Sequence, residues 1–153
     1  MSGGTDIILR GARPLDAGAL GAILWDFQDQ TDWMPDLYSE AQTIAFCSMM
    51  SDRGLITVAE RNSTVIGFLA LEREYIHGLY LDRTARGQGV GRLLIDHAKT
   101  RAERLELRVA QHNATAKRFY RLAGFKEVAR GDGSANDENL PDVHFVWRTE
   151  VMA

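Results

Sequence analysis

The stretch Arg86-Gly87-Gln88-Gly89-Val90-Gly91, followed by Arg92, sets three glycines at every second position between two arginines. Glycine leaves the main chain bare, so an anionic ligand can reach backbone N–H groups without meeting a Cβ. The run YIHGLYL precedes the stretch and the amphipathic run VGRLLIDHA follows it, which puts it at a strand-to-helix transition. A helix N-terminus offers unpaired N–H groups and a partial positive charge, and so binds phosphate. Arg86 and Arg92 would add charge-assisted hydrogen bonds. Two common nucleotide sites fail on spacing. The dinucleotide fingerprint needs G-x-G-x-x-G, and the third glycine here comes one residue early. A P-loop needs Gly-Lys-Ser/Thr, and Arg92-Leu93 stands in that place. A plain glycine turn ahead of a helix is the alternative reading.

Periodicity gives the elements that must position this stretch. Ile7 to Arg10 reads as a first strand, ending in a turn at Pro14. Asp16 is placed to cap a helix carrying Leu20, Ile23, Leu24 and Phe27 at spacings of three and four. The polar and aromatic connector QDQTDWMPDLYS follows, and Ser39 starts a second helix through Ile44 and Met49. Residues 55–60 and 64–72 are β-rich runs joined by a tight hairpin. The second is apolar at nearly every residue, as expected of a strand covered on both faces. Residues 75–81 form the next strand. After the glycines, Val90, Leu93, Leu94, Ala98, Ala102 and Leu105 recur at helical spacing, and 105–110 alternates as a strand. Asn113 opens a further helix whose inner face is Ala116, Phe119, Tyr120 and Ala123, with Gly124 where a left-handed C-terminal residue belongs. KEVAR and VHFVWRTE close the chain as two strands around the loop GDGSANDENLPD. The order βααβββαβαββ is mixed α/β. With no internal repeat and no linker, residues 1–153 read as one domain.

The totals exclude several function classes. A chain of 153 residues with 45% hydrophobic and 25% charged residues is long enough to bury a proper core. Its net charge of −3 gives no reason to expect a nucleic-acid or membrane partner. The start carries no basic segment followed by an apolar run, and no stretch approaches a membrane span of roughly 20 residues. Cys47 is the only cysteine, which excludes an internal disulfide and suits a reducing cytoplasm. His77, His97, His112 and His144 show no metal-ligand spacing, so no metal is expected.

The distribution of charge says more than its sum. From Pro14 to Asp52 there are seven acids and no Lys or Arg. From Arg83 to Arg130 there are twelve of the eighteen basic residues against four acids. From Gly131 to Trp147 the chain is acidic again, without Lys or Arg. A near-neutral total therefore conceals a basic region and two acidic ones.

Arg86-x-x-Gly89-x-Gly91, between a strand and a helix, resembles the R/Q-x-x-G-x-G/A motif of the GNAT superfamily of N-acetyltransferases. HGLYLDRTARGQGVGRLLIDHA is similar to that family's motif A throughout, and NATAKRFYRLAGFKEV to its motif B. The inferred element order follows the family too, so the resemblance covers essentially the whole chain. It implies a single GNAT-like domain: a mixed, mostly antiparallel sheet flanked by helices, with splayed central strands. It also implies acetyl-CoA as co-substrate. The pyrophosphate would lie on backbone N–H groups from about Gln88 through Gly89, Val90 and Gly91 to Arg92, with Arg86 and Gly87 in the same cofactor-binding set. The pantetheine arm would run along Leu79-Tyr80-Leu81 like an added strand. Asn113 would bond to the pantetheine, with a helix cap as its other and surer role. Phe119 belongs to the same cofactor-binding set.

The reaction implied is direct attack of a neutral primary amine on the thioester in a ternary complex. An alkylamine with a pKa of about 10 must first lose a proton, and the departing thiolate needs a donor. Tyr120 carries over as that donor, with a core aromatic as its alternative role. For the base, relatives place a glutamate that falls near Tyr75 here, which is no acid. Glu72, Glu74 and His77 are the nearby titratable groups; His77 suits neutral pH, and a water chain is the alternative.

In the family the first two helices and the last inter-strand loop flank the acceptor, and here those are the two acidic segments. Trp25, Trp33 and Tyr38 join the carboxylates, which suits a cation. The expected function is N-acetylation of a small cationic amine in the cytoplasm. Acetylation of a protein N-terminus or lysine, and a non-catalytic acyl-CoA-binding module, are the alternatives. Relatives are commonly dimers, so a homodimer is an expected assembly, although no stretch specifies its interface.

Overall fold

The computed structural model describes residues 6–149. Its elements are β1 (Ile8–Gly11), α1 (Ala17–Gln30), α2 (Glu40–Asp52), β2 (Ile56–Arg61), β3 (Thr64–Glu72), β4 (Tyr75–Leu81), α3 (Val90–Lys99), β5 (Arg104–Ala110), α4 (Ala114–Leu122), β6 (Lys126–Gly131) and β7 (Asp142–Arg148). The seven strands form one sheet in the order β1-β2-β3-β4-β5-β7-β6. Every neighbouring pair is antiparallel except β4 with β5. The mixed, mostly antiparallel α/β fold expected from the sequence is the one observed.

Each face of the sheet carries its own core. Under α3 and α4, Val90, Leu94 and Tyr120 pack against Ile76, Leu105, Leu107, Val143 and Phe145. On the opposite face α1 and α2 bring Leu20, Leu24, Cys47 and Met50 onto Val58, Phe68 and Ala70. β3 supplies both cores, which accounts for its continuous apolar run. The helices α1 and α2 approach closely because Gly21 has no side chain: a Cβ there would collide with Ile44.

Local chemistry sets the connections. Asn62 and Ser63 both have positive φ, 52° and 64°, as a two-residue hairpin turn that follows strand twist requires. Ser39 caps α2 by accepting from the Gln42 N–H at 3.1 Å, while Gln42 Oε1 accepts from the Ser39 N–H at 2.8 Å. At the end of α4, Gly124 (φ 97°) lets its own N–H reach Arg121 O at 3.1 Å and the Phe125 N–H reach Tyr120 O at 2.9 Å.

Three local expectations are corrected. Asp16 does not cap α1: its carboxylate accepts from the Arg13 N–H at 2.7 Å and from the Arg10 guanidinium at 2.8 Å. A 3₁₀ turn at Pro14–Asp16 leads into the helix instead. The helix α3 stops at Lys99, and the apolar Leu105 that continued its spacing instead points from β5 into the core. Leu93 keeps helical spacing but is exposed. In the last strand, Glu150 lies outside the described residues.

Candidate active site

The parallel strands β4 and β5 meet in a single ladder pair, Tyr75 opposite Glu106, with the Glu106 N–H on Glu74 O at 2.8 Å. Beyond that point no ladder joins them, and the strands diverge toward their C-terminal ends. The register with β3 determines what faces the opening. The Asp82 N–H bonds Ile66 O at 2.8 Å, so Leu81 and, two residues back, Leu79 sit in non-hydrogen-bonded pairs with β3. Their own N–H and C=O groups therefore point into the gap, as a sheet edge open to one more strand. On this strand His77 is the extra residue of a β-bulge, since Ala70 pairs with Gly78 but Leu71 with Ile76.

At the wide end of the gap lies the glycine stretch. Asp82 accepts from the Thr84 N–H at 3.1 Å, which starts the turn, and the first main-chain bond of α3 runs from the Leu93 N–H to Gly89 O at 3.1 Å. Between them the N–H groups of Gly87, Gln88, Gly89, Val90, Gly91 and Arg92 find no acceptor among the described residues. Gly87 and Gly89 have φ of 73° and 83°, and nothing lies within 4 Å of where a Cβ would be. The amides and the bare loop fit a diphosphate.

Gly91 and Arg92 differ from the other loop residues. A Cβ on Gly91 would stand 3.3 Å from the Phe119 ring, so this glycine and Phe119 pack α3 on α4. The Arg92 side chain turns along its own helix, with Nε on Asp96 at 3.0 Å and Nη1 on Leu122 O at 3.3 Å. Among the described residues Arg86 has no carboxylate within ion-pair distance, and it stays exposed.

Residues 21–125 match the family described as the acetyltransferase (GNAT) family. The chain belongs to the GNAT family. Members of this family use acetyl-CoA as co-substrate. The chain is 39% identical over 82 residues to the peptidyl-lysine N-acetyltransferase YjaB of Salmonella typhimurium, a match covering 54% of this chain and 57% of that one. It thus spans little more than half the length of the curated relatives it matches. In structure it is similar to apo-form YjaB from Escherichia coli, with a TM-score of 0.79 and 26% identity over 95% of this chain and 99% of that one. The Salmonella typhimurium putative acetyltransferase yncA, solved with acetyl-CoA, gives a TM-score of 0.75 at 17% identity, covering 97% and 96%.

In this GNAT frame Tyr120 sits on α4 among Phe119, Phe125 and Phe145, with ring centroids 5.1, 5.4 and 6.4 Å away. Its residue is 7% exposed, and its hydroxyl bonds no group among the described residues. Burial pushes that hydroxyl well above the ordinary tyrosine value, and the Tyr80 hydroxyl adds to the rise. Tyr120 belongs to one core and Tyr80 packs on the other. Tyr80 packs on Phe27 and Phe68 at 5.3 and 5.6 Å, and burial pushes it up to about 12. Asn113 caps α4 by accepting from the Ala116 N–H at 3.0 Å; its Nδ2 donates to nothing among the described residues.

The titratable groups of the opposite face divide into two clusters. His77 Nε2 lies 2.9 Å from Glu72 Oε1, Arg53 holds the other Glu72 oxygen at 2.5 Å, and the His77 ring meets Tyr75 edge-on at 5.0 Å. His77 and then Arg53 hold the Glu72 carboxyl below its usual range. Glu74 instead lies 3.5 Å from Arg104, away from His77. The second cluster was not legible in the sequence: His144 Nε2 on β7 lies 3.0 Å from Glu106 Oε1 on β5, with Arg104 on the other oxygen. Strand alternation gives each side chain its face, but only the register brings residues 38 positions apart together.

The two acidic segments also meet. The Tyr38 hydroxyl donates to Asp137 Oδ2 at 2.8 Å, joining the α1–α2 connector to the β6–β7 loop. Trp33 stacks on His112 at 6.0 Å, ahead of α4. Within the connector a pocket of about 350 Å³ is lined by Trp25, Asp29, Asp32 and Asp36 among others, none from β4 or β5. The separation of charge is incomplete, because Asp26 of α1 binds Arg83 beside the glycine loop at 2.5 Å and 2.8 Å. Among the described residues no cluster of His, Cys, Asp and Glu could hold a metal, and no helix is long and apolar enough to cross a membrane.

Proposed function

We propose that this chain transfers the acetyl group of acetyl-CoA to a cationic primary amine. The observation that carries the reading is the opening between β4 and β5, which runs from the Tyr75–Glu106 pair to six unpaired amides. Acetyl-CoA supplies a thioester carbonyl as the electrophile. The amides of residues 87–92 and the Arg86 side chain bind its diphosphate. The free N–H and C=O groups of Leu79 and Leu81 take its amide-bearing arm as an added strand, and Asn113 Nδ2 has a hydrogen to offer the same arm.

Tyr120 holds its proton at neutral pH, because burial disfavours the phenolate. It therefore acts as a donor to the departing sulfur and does not compete as a base. His77 takes the proton of the incoming ammonium on Nδ1, and Glu72 on its Nε2 orients the ring.

Favouring a cation are the acidic segments joined at Tyr38 and Asp137, and the aromatic and acidic connector. A small amine suits the volume of the connector pocket, about 350 Å³. Similarity to a peptidyl-lysine N-acetyltransferase favours a second reading, a lysine side chain in a polypeptide. Thiol release from acetyl-CoA, measured with polyamines, amino acids, aminoglycosides and basic peptides against an enzyme-free control, tests both. Amine-dependent release supports transfer, and the preferred amine separates the two acceptors. Binding of acetyl-CoA without turnover of any amine would favour an acyl-CoA-binding module.

A further inference from the structure

At the end of β2, Arg61 reaches across to the glycine loop, where its Nη2 donates to Gln88 Oε1 at 2.7 Å. Gln88 is held from its other end as well, since its Nε2 donates to Thr84 O at 2.6 Å. The side chain of Gln88 is thus fixed between β2 and the turn that opens the loop, while its main chain lies at the centre of the unpaired amides. Of the neighbouring guanidiniums, Arg83 is committed to Asp26 and Arg92 to Asp96, which leaves Arg86 at the loop itself. Arg61 has no carboxylate within 4.0 Å among the described residues, and its buried Nε is the one buried side-chain nitrogen or oxygen there without a partner. A half-buried guanidinium that no acid neutralises, with one donor left unpaired, is costly to keep without a role.

We propose that Arg61 is a positioning residue for the diphosphate of acetyl-CoA, acting through Gln88. Its hydrogen bond keeps the Gln88 side chain clear of the loop's open side and fixes the peptide units that carry the Gln88 and Gly89 N–H groups. The inference rests on the acetyl-CoA reading above and deepens it by one residue outside both sequence motifs.

The test compares acetyl-CoA with S-acetyl-pantetheine, which keeps the thioester and the arm but lacks the diphosphate. Arg61→Ala is expected to raise KM for acetyl-CoA about tenfold or more with kcat nearly unchanged, the size of one lost charge-assisted hydrogen bond. With S-acetyl-pantetheine, wild type and variant should give the same kcat/KM. Gln88→Ala should reproduce the effect, and the Arg61→Ala/Gln88→Ala pair should be no worse than either single variant. Equal losses on both acetyl donors would overturn the proposal, since they would mark a general structural defect. Additive losses in the pair, or no change in Arg61→Ala, would also overturn it. If wild-type protein itself binds no CoA by calorimetry, the acetyl-CoA reading fails first, which keeps the two failures distinct.

Discussion

Tyr75 stands opposite Glu106 in the one ladder pair that joins β4 to β5, and from that pair the two strands part. The pair is the closed end of the site. On one side of it lie the Tyr75 and His77 rings, on the other Glu106 with His144, so both histidine–glutamate contacts border the point where the strands separate. A group entering along β4 from the glycine loop would end beside them.

Tyr120→Phe tests the phenol. Its hydroxyl bonds nothing among the described residues, so its removal should leave stability within about 0.5 kcal/mol by thermal melting. Affinity for acetyl-CoA should stay within twofold. The turnover number should fall about 100-fold, in the usual range for losing a general acid. A turnover loss below threefold would assign Tyr120 to the aromatic core alone.

The two open glycines should differ from the packed one. Gly89→Ala forces a Cβ onto a residue at φ 83° and crowds the amides, costing about 1 kcal/mol of folding stability and weakening acetyl-CoA binding. Gly91→Ala presses on Phe119 at 3.3 Å and should lower the melting temperature with a smaller effect on binding. Calorimetric titration with CoA beside melting curves separates them. Equal binding losses in the two variants would contradict the assignment of Gly91 to packing.

Much of this fold was legible because local signals agreed. The glycine loop, the Asn113 cap and the Gly124 terminus each depend on residues within a few positions of one another, so composition and spacing reveal them. What failed was set by distant contacts. Asp16 looks like a cap until Arg10 captures its carboxylate, and α3 looks longer because Leu105 prolongs its spacing from inside the next strand. The bulge at His77 leaves no mark in a strand that is apolar on both sides of it. Glu106 with His144, and Arg61 with Gln88, depend on register and packing, which no single segment encodes. The separation of β4 from β5 was expected only through family resemblance.

Asp29, Asp32 and Asp36 test the charge of the acceptor. Replacing all three by Asn should raise KM for a cationic amine at least fivefold at low salt, leaving the acetyl-CoA KM unchanged. The wild-type KM should itself rise with ionic strength and the variant's should not, since exposed charges are screened within about 10 Å at 0.1 M salt. The readout is initial rate against amine concentration at two salt levels. An unchanged acceptor KM in the triple variant would remove the connector from the acceptor site.

Asp16 gives the clearest pH dependence of stability. Hydrogen bonding from Arg10, aided by the Arg13 N–H, holds its carboxyl below the ordinary value of 3.8. Only 11% of its side chain is exposed, and Arg10 is 15% exposed, so solvent screens the pair weakly. Because the folded state binds this proton less tightly than the unfolded state, the pair's stabilisation is fully present above about pH 4. It is lost as pH falls through the lowered value. Asp16→Asn leaves Arg10 with Glu60 alone, at 3.1 Å, and should cost about 3 kcal/mol at pH 7. The difference between variant and wild type should shrink as pH falls below 4, since protonation then removes the same charge from the wild type. Denaturant titrations from pH 7 down to pH 3 measure it, and a pH-independent difference would mean that Asp16 acts through packing and not through its charge.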